Sequence, residues 1–304
     1  MPKYLSLFFL IFLFNSCLSP VYAQFKLKGI CIDKETKQVV PFATIHVIQS
    51  SLWTDADHNG YFEIDILNQD SIYISCVGYL SITRPINKAQ QLDTFFLQSV
   101  VVSLPEIFIS ERKIISLGQL KAKKTFDMNS KSNTRVEIAT RINIPSHVKD
   151  FQLKQINIAG ISFNSTNPVR IHVYSVGSLG QPDKELLTKD IVITSNNSSK
   201  SVLEIDVTEQ NVFYSGNFFI AVQWISDSNN QNRINPAKRT IIGPGILCTF
   251  TNKNTITYMR DKAANFGYKW ALVSDGVIYP YDYKIPEKLP NSPLNMLVSC
   301  DVLY

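Results

Sequence analysis

The sequence predicts an all-β chain built as two sandwiches, a small one followed by a larger one of jelly-roll type. Three observations lead there. Apolar residues recur with a period of two almost everywhere, the mark of strands with one buried face. No long segment carries helical periodicity, and short apolar runs alternate with turn residues. The pattern also pauses near residue 100, which divides the chain.

In chain order, the first element is a leader. Lys3 supplies a positive charge, Tyr4 to Phe14 are almost wholly apolar, and Val21-Tyr22-Ala23 places small residues where a signal peptidase cuts. The run is little over half the roughly 20 apolar residues of a membrane-spanning helix. Residues 1–23 are therefore read as a secretory signal, with Gln24 as the new N-terminus. The alternative is a lipid on Cys17, although Phe14 and Asn15 stand where a lipidation signal has small residues. The most apolar later stretch, Phe218 to Ile225, is interrupted by Gln223 and is strand-sized, so no membrane span is expected in the mature chain.

Residues 24–98 carry about six strands. Phe25, Leu27 and Cys31 alternate with Lys26 and Lys28; Ala43, Ile45 and Val47 with Thr44 and His46; Phe62, Ile64 and Ile66 with Glu63 and Asp65; and Ile72, Ile74 and Cys76 follow suit. Residues 99–133 read as a linker, with a lead-in strand at Glu106 to Ser110 and a polar Lys-, Ser- and Asn-rich end. From 134 to 304 the strands resume, for example Val136/Ile138/Ile142, Val169/Ile171/Val173, Leu203/Ile205/Val207 and Met296/Val298/Cys300/Val302. Phe218 to Val222 is apolar on both faces, which suits a central strand.

The small module has a recognisable order. Gly29-Ile30-Cys31-Ile32-Asp33 is followed by Pro41-Phe42-Ala43-Thr44-Ile45, then Thr54-Asp55 with Asn59-Gly60-Tyr61-Phe62, then Val77-Gly78-Tyr79. Together these motifs resemble the carboxypeptidase regulatory-like domain, over roughly residues 25–98. The resemblance implies a transthyretin-like β-sandwich carrying neither zinc nor peptidase chemistry. The continuation through Val100-Val101-Val102 and Glu106 is similar to a layout of secreted and surface proteins of Gram-negative bacteria.

Charge and side-chain chemistry exclude several function classes. Loss of residues 1–23 removes one Lys and no acid, taking the formal charge from +5 to +4. That gives no footing for nucleic acid, which calls for a concentrated basic face. The one basic cluster, Arg112, Lys113, Lys121, Lys123 and Lys124, falls in the linker. Cys31, Cys76, Cys248 and Cys300 are widely spaced and sit in strand-like runs, so buried thiols are expected; if a disulfide forms, Cys31–Cys76 is the pair to expect. His46, His58, His147 and His172 have no His partner at metal-binding spacing, and His46 and His172 read as outward-facing strand positions. Glu204 and Asp206 read as solvated outward carboxylates. A G-x-S-x-G elbow and a Gly-rich phosphate loop are both missing. Asp55-x-Asp57-x-Asn59-Gly60 opens like a calcium loop, but its twelfth position is Ile66, so a tight turn is expected. Neither a catalytic residue, a metal site nor a cofactor is predicted.

One constellation points to binding. Trp270 and the run Tyr279-Pro280-Tyr281-Asp282-Tyr283 gather rings around a loop, and flat rings with polar tips suit sugars. Trp270, Tyr279, Tyr281 and Tyr283 are the candidate ligand-binding residues, whereas Trp53 and Trp224 read as packing. The expectation is a non-enzymatic binding or adhesion protein of the periplasm, outer-membrane surface or exterior, with a glycan or an envelope protein as partner. The small sandwich would be its spacer or docking piece. The rival is a hydrolase within the C-terminal sandwich, which two convergent carboxylates or a Ser–His pair would favour. A receptor plug lacks the strands of a following barrel.

Overall fold

A computed structural model describes residues 24–50, 52–67, 70–86, 93–100, 113–128, 136–162, 168–193, 202–225, 245–250, 255–261, 270–273 and 294–304. The leader with Cys17, the strand expected at Glu106 to Ser110, and Tyr279, Tyr281 and Tyr283 lie outside the described residues. The described chain is all-β, with a single 3-10 turn at Thr208–Gln210. No helix among these residues is long and apolar enough to cross a membrane.

Among the described residues seven strands form the small module: β1 (Gln24–Asp33), β2 (Thr44–Val47), β3 (Trp53–Asp55), β4 (Tyr61–Leu67), β5 (Ser71–Ser75), β6 (Ile82–Pro85) and β7 (Asp93–Leu97). They make two sheets, ordered β4-β1-β7 and β3-β2-β5-β6. Strand β1 runs antiparallel to β4 and parallel to β7. The period of two places Leu27, Cys31, Ile45, Val47, Phe62, Ile66, Ile74, Phe95 and Leu97 in the core between the sheets. The extra strand relative to the sequence reading is β3, three residues long and too short to show a period.

The larger sandwich continues with β8 (Ile114–Gln119), β9 (Phe126–Met128), β10 (Val136–Ile142), β11 (Asp150–Ser162), β12 (Val169–Val176), β13 (Pro182–Glu185), β14 (Ile191–Ile193) and β15 (Val202–Asp206). It closes with β16 (Phe213–Ser215), β17 (Phe218–Trp224), β18 (Gly245–Thr249), β19 (Thr257–Asp261), β20 (Ala271–Leu272), β21 (Asn295–Met296) and β22 (Val298–Leu303). One sheet has seven strands, ordered β13-β12-β17-β10-β19-β20 with β14 beside β12. The other has eight, ordered β21-β18-β11-β22-β8, with β15 and β16 on β11 and β9 on β18, and one sheet of this sandwich curls into a half-barrel. Between them Ile138, Leu153, Ile156, Ile171, Ile220, Val222, Cys248, Val298 and Cys300 fill the core. Strand β17 is central and buried along its whole length, as its two apolar faces require.

The linker reading needs correction. Two strands inside residues 99–133 belong to the larger sandwich: β8 pairs with β22 over six positions, and β9 pairs with β18. The signal was faint because β8 half-buries only alternate residues, Ile115 and Leu117 among them, and contains Gly118. Gly118 has φ +90°, and a Cβ there would stand 2.3 Å from the Val298 carbonyl oxygen. Close approach to β22 thus demands the residue that weakens the strand pattern.

The two sandwiches touch. Val77 packs on the larger core. Gly78, at φ +83°, lies so near the Thr188 carbonyl that a Cβ would stand 2.5 Å from its oxygen. The Val77-Gly78-Tyr79 turn is therefore part of the junction between modules. Arg170 of β12 completes that junction. Its guanidinium donates to both carboxylate oxygens of Asp190, at 2.9 and 3.0 Å, to the Phe42 carbonyl and to the Thr44 hydroxyl. Burial works against its charge, but the Asp190 and Asp55 carboxylates outweigh that and raise its pKa.

All four described cysteines are free thiols, and burial raises the pKa of each, with Cys76 pushed up to about 12. The calcium-like opening is taken up by the fold. Asp55 accepts from the Thr44 hydroxyl, and Asp57 caps its own turn by accepting from the Asn59 and Tyr61 amides. Among the described residues no three His, Cys, Asp or Glu side chains gather as metal ligands would.

Candidate functional site

The outer face of the seven-stranded sheet should be solvated if it follows simple alternation. Instead it carries a second buried cluster. On β12 the outward residues are Arg170, His172 and Tyr174; on β17 they are Phe219, Ala221 and Gln223; on β10, Glu137 and Ala139; on β19, Tyr258 and Arg260. Register places them in two rows. Arg170, Gln223, Glu137 and Arg260 are neighbours across the sheet, as are His172, Ala221, Ala139 and Tyr258. The two alanines leave the centre low, so that longer side chains lean in from both flanks.

Glu137 is fully buried and lies at the heart of this face. The Tyr174 hydroxyl donates to its Oε1 at 2.8 Å, and Arg260 Nε donates to its Oε2 at 2.6 Å. Arg260 Nη2 also donates to the Tyr174 hydroxyl at 3.0 Å. A buried carboxylate is tolerated only with such partners. His172 stacks on Tyr174 with centroids 5.1 Å apart. Its Nδ1 lies 2.5 Å from Glu185 Oε2, and its Nε2 lies 2.9 Å from Gln223 Oε1 and 3.9 Å from Glu137. Burial pulls the imidazole pKa down more than any other single influence. The charges of Glu137 and Glu185 and the Glu185 hydrogen bond together overcome it, so the net shift is upward. Glu185 Oε1 in turn accepts from the Val173 and Leu187 amides.

Trp270, the one sequence-predicted site residue that is described, sits on the rim of this network. Its ring lies edge-on to Tyr174 at 5.8 Å, and the Arg260 guanidinium stacks 4.3 Å above it. It is half-buried, just ahead of β20, which pairs with β19. Trp53 and Trp224 are packing residues as expected, Trp53 stacking on His46 at 3.8 Å. Glu204 and Asp206 are exposed.

His172 departs from its expected setting. It does occupy the outer face, but it is 6% exposed rather than solvated, because Glu185, Gln223 and Tyr174 close around it. Sequence reasoning missed Glu137, Tyr174, Glu185, Gln223 and Arg260 as a group. The one signal open to it was the concentration of long polar residues at outward positions of strands flanking a fully apolar one.

Comparison with known proteins bears on the first module. Residues 27–109 match the CarboxypepD_reg-like domain and are one, followed by further β-sheet structure. No curated protein matches the chain. The solved cysteine protease and lectin-like domains of Cwp84, a surface-layer-associated protein of Clostridium difficile, are 14% identical, with 68% of this chain and 42% of that one covered and a TM-score of 0.37. This chain thus spans less than half of that relative. A candidate carbohydrate-binding protein from Bacteroides uniformis is 13% identical, covering 73% of this chain and 94% of that one, with a TM-score of 0.21. A candidate membrane-associated protein of unknown function from Bacteroides fragilis is 10% identical, covering 93% and 98%, also at 0.21.

Proposed function

We propose that this chain, whose residues 27–109 are a CarboxypepD_reg-like domain, is a non-catalytic, exported protein of the cell envelope or its exterior that binds glycan through its larger sandwich. One observation carries the binding reading. Trp270 is a half-exposed ring whose position is fixed by Arg260, itself anchored on buried Glu137. A flat ring held rigid beside polar groups loses little entropy on taking a sugar face. Export rests on the composition of residues 1–23. The small sandwich, tied down through Arg170, serves as a docking piece or spacer.

The hydrolase rival gains one observation, since Glu137 and Glu185 converge on His172. Their lone pairs are largely committed, however. Glu137 accepts from Tyr174 and Arg260, and Glu185 accepts from two amides as well as facing the imidazole. A general base has to keep an acceptor within reach of substrate. The arrangement suits a strut better than a catalyst.

Glycan-array binding by the purified chain, followed by recovery of the bound oligosaccharide, tests both readings. Binding that weakens in Trp270→Ala, with the sugar recovered intact, is expected; release of new reducing ends would favour the hydrolase. Tyr281→Ala should likewise weaken binding while leaving the melting temperature near wild type. A loss of about 3–5 kcal/mol would instead make that ring a core residue and remove it from the site.

A further inference from the structure

A second, separate feature lies where the end of β10 meets β8, β21 and β22. Here the structure holds a partly open cleft of about 240 Å³. Gln119, Arg141, Asn143, Thr255 and Asn295 contribute polar groups to its lining, and Ile142 and Val298 contribute apolar surface. Among the described residues that line it none is a carboxylate, and Arg141 is the one charged side chain.

Each wall is firmly built. Thr140 and Thr257 share a hydrogen bond at 2.9 Å, Thr257 donates to Asn295 Oδ1 at 3.0 Å, and the Met296 amide donates to Thr140 at 3.1 Å. These bonds join the two sheets behind the cleft. Gly118 seals the opposite side by lying against the Val298 carbonyl. Arg141 Nε donates to Asn143 Oδ1 at 3.0 Å, which sets the plane of the guanidinium. Its two terminal nitrogens have no partner among the described residues. A planar fork of free N–H groups matches a carboxylate bidentately. Amide and hydroxyl side chains beside a small apolar surface match a ring that carries hydroxyls on its edge and C–H groups on its face. The volume has room for one such ring.

We propose that this cleft binds a carboxylate-bearing sugar of uronic-acid type, with the carboxylate on Arg141. The site stands four residues along β10 from Glu137, roughly 14 Å by the rise of a strand, and does not rest on the Trp270 reading.

Isothermal titration of the full chain with D-glucuronate and D-galacturonate, their neutral parent sugars and acetate provides the test. At least one uronate should bind saturably at one site, with its parent sugar and acetate weaker by about tenfold or more. Arg141→Gln should lose about tenfold in uronate affinity, and Arg141→Lys, which keeps charge but not the fork, should fall between. Both variants should melt near wild type, since Arg141 is only half-buried. Loss of uronate affinity in Arg141→Gln, with Trp270 untouched, separates this site from the glycan platform. Failure of both uronates to bind, equal binding of the parent sugar or of acetate, or an Arg141→Gln chain that binds as well as wild type would each overturn the proposal.

Discussion

His172 is where burial and charge compete most directly. Groups face it from every side: Glu137 from β10, Glu185 from β13, Gln223 from β17, and Tyr174 and Arg170 along its own strand. Its native pKa lies above the ordinary 6.5. A raised pKa means that the folded state binds the proton more tightly, so the stabilisation is complete below that ordinary value and is lost as pH climbs through the native one. The melting temperature should therefore fall as pH rises above the ordinary imidazole value of 6.5, and His172→Gln should flatten that dependence. An unchanged slope in the variant would assign the pH response elsewhere. At this scale Trp270 was legible in sequence, because a Trp beside a turn stands out. The charges beneath it were not, since Glu137 and Arg260 are 123 residues apart and meet only through the register of β10 with β19.

Among the elements, alternation revealed the strands with a fully buried face, such as β10 and β12, and missed those on which only one side is half-covered. Strand β8 shows why. Its Ile115 and Leu117 bury partially, and the glycine that lets it approach β22 resembles a loop residue. Lys121 to Lys124 are thus not a tether between two bodies but a connection between β8 and β9, and Thr249 holds the Lys124 carbonyl at 2.9 Å. Limited proteolysis with a Lys-specific protease tests this directly: a cut here should leave both fragments together on a native sizing column and separate them only in denaturant. Release of a free N-terminal piece under native conditions would restore the linker reading.

For the whole molecule, the decisive contact is Arg170. A strand of one sandwich sends a buried cation into the other, where the Phe42 carbonyl and the Thr44 hydroxyl receive it. Removing one partner of a buried ion pair costs about 3–5 kcal/mol, and here the loss also frees the modules from each other. Calorimetry should show one transition for the wild type, and Arg170→Met should split it into two with the total shifted down. Two transitions already present in the wild type would mean that the sandwiches unfold independently. The pairing of β8 with β22 has a mechanical meaning as well. Lys113 and Tyr304 exchange backbone hydrogen bonds at 2.9 and 3.0 Å, and the two strands run antiparallel away from that point. Tension applied between Lys113 and Tyr304 would load this ladder one rung at a time, as a zip opens, while the rest of the larger sandwich stays out of the line of force. A pull between Gln119 and Tyr304 would instead load every rung at once in shear. The direction of loading, more than the number of bonds, would then set the force at which the larger sandwich starts to open.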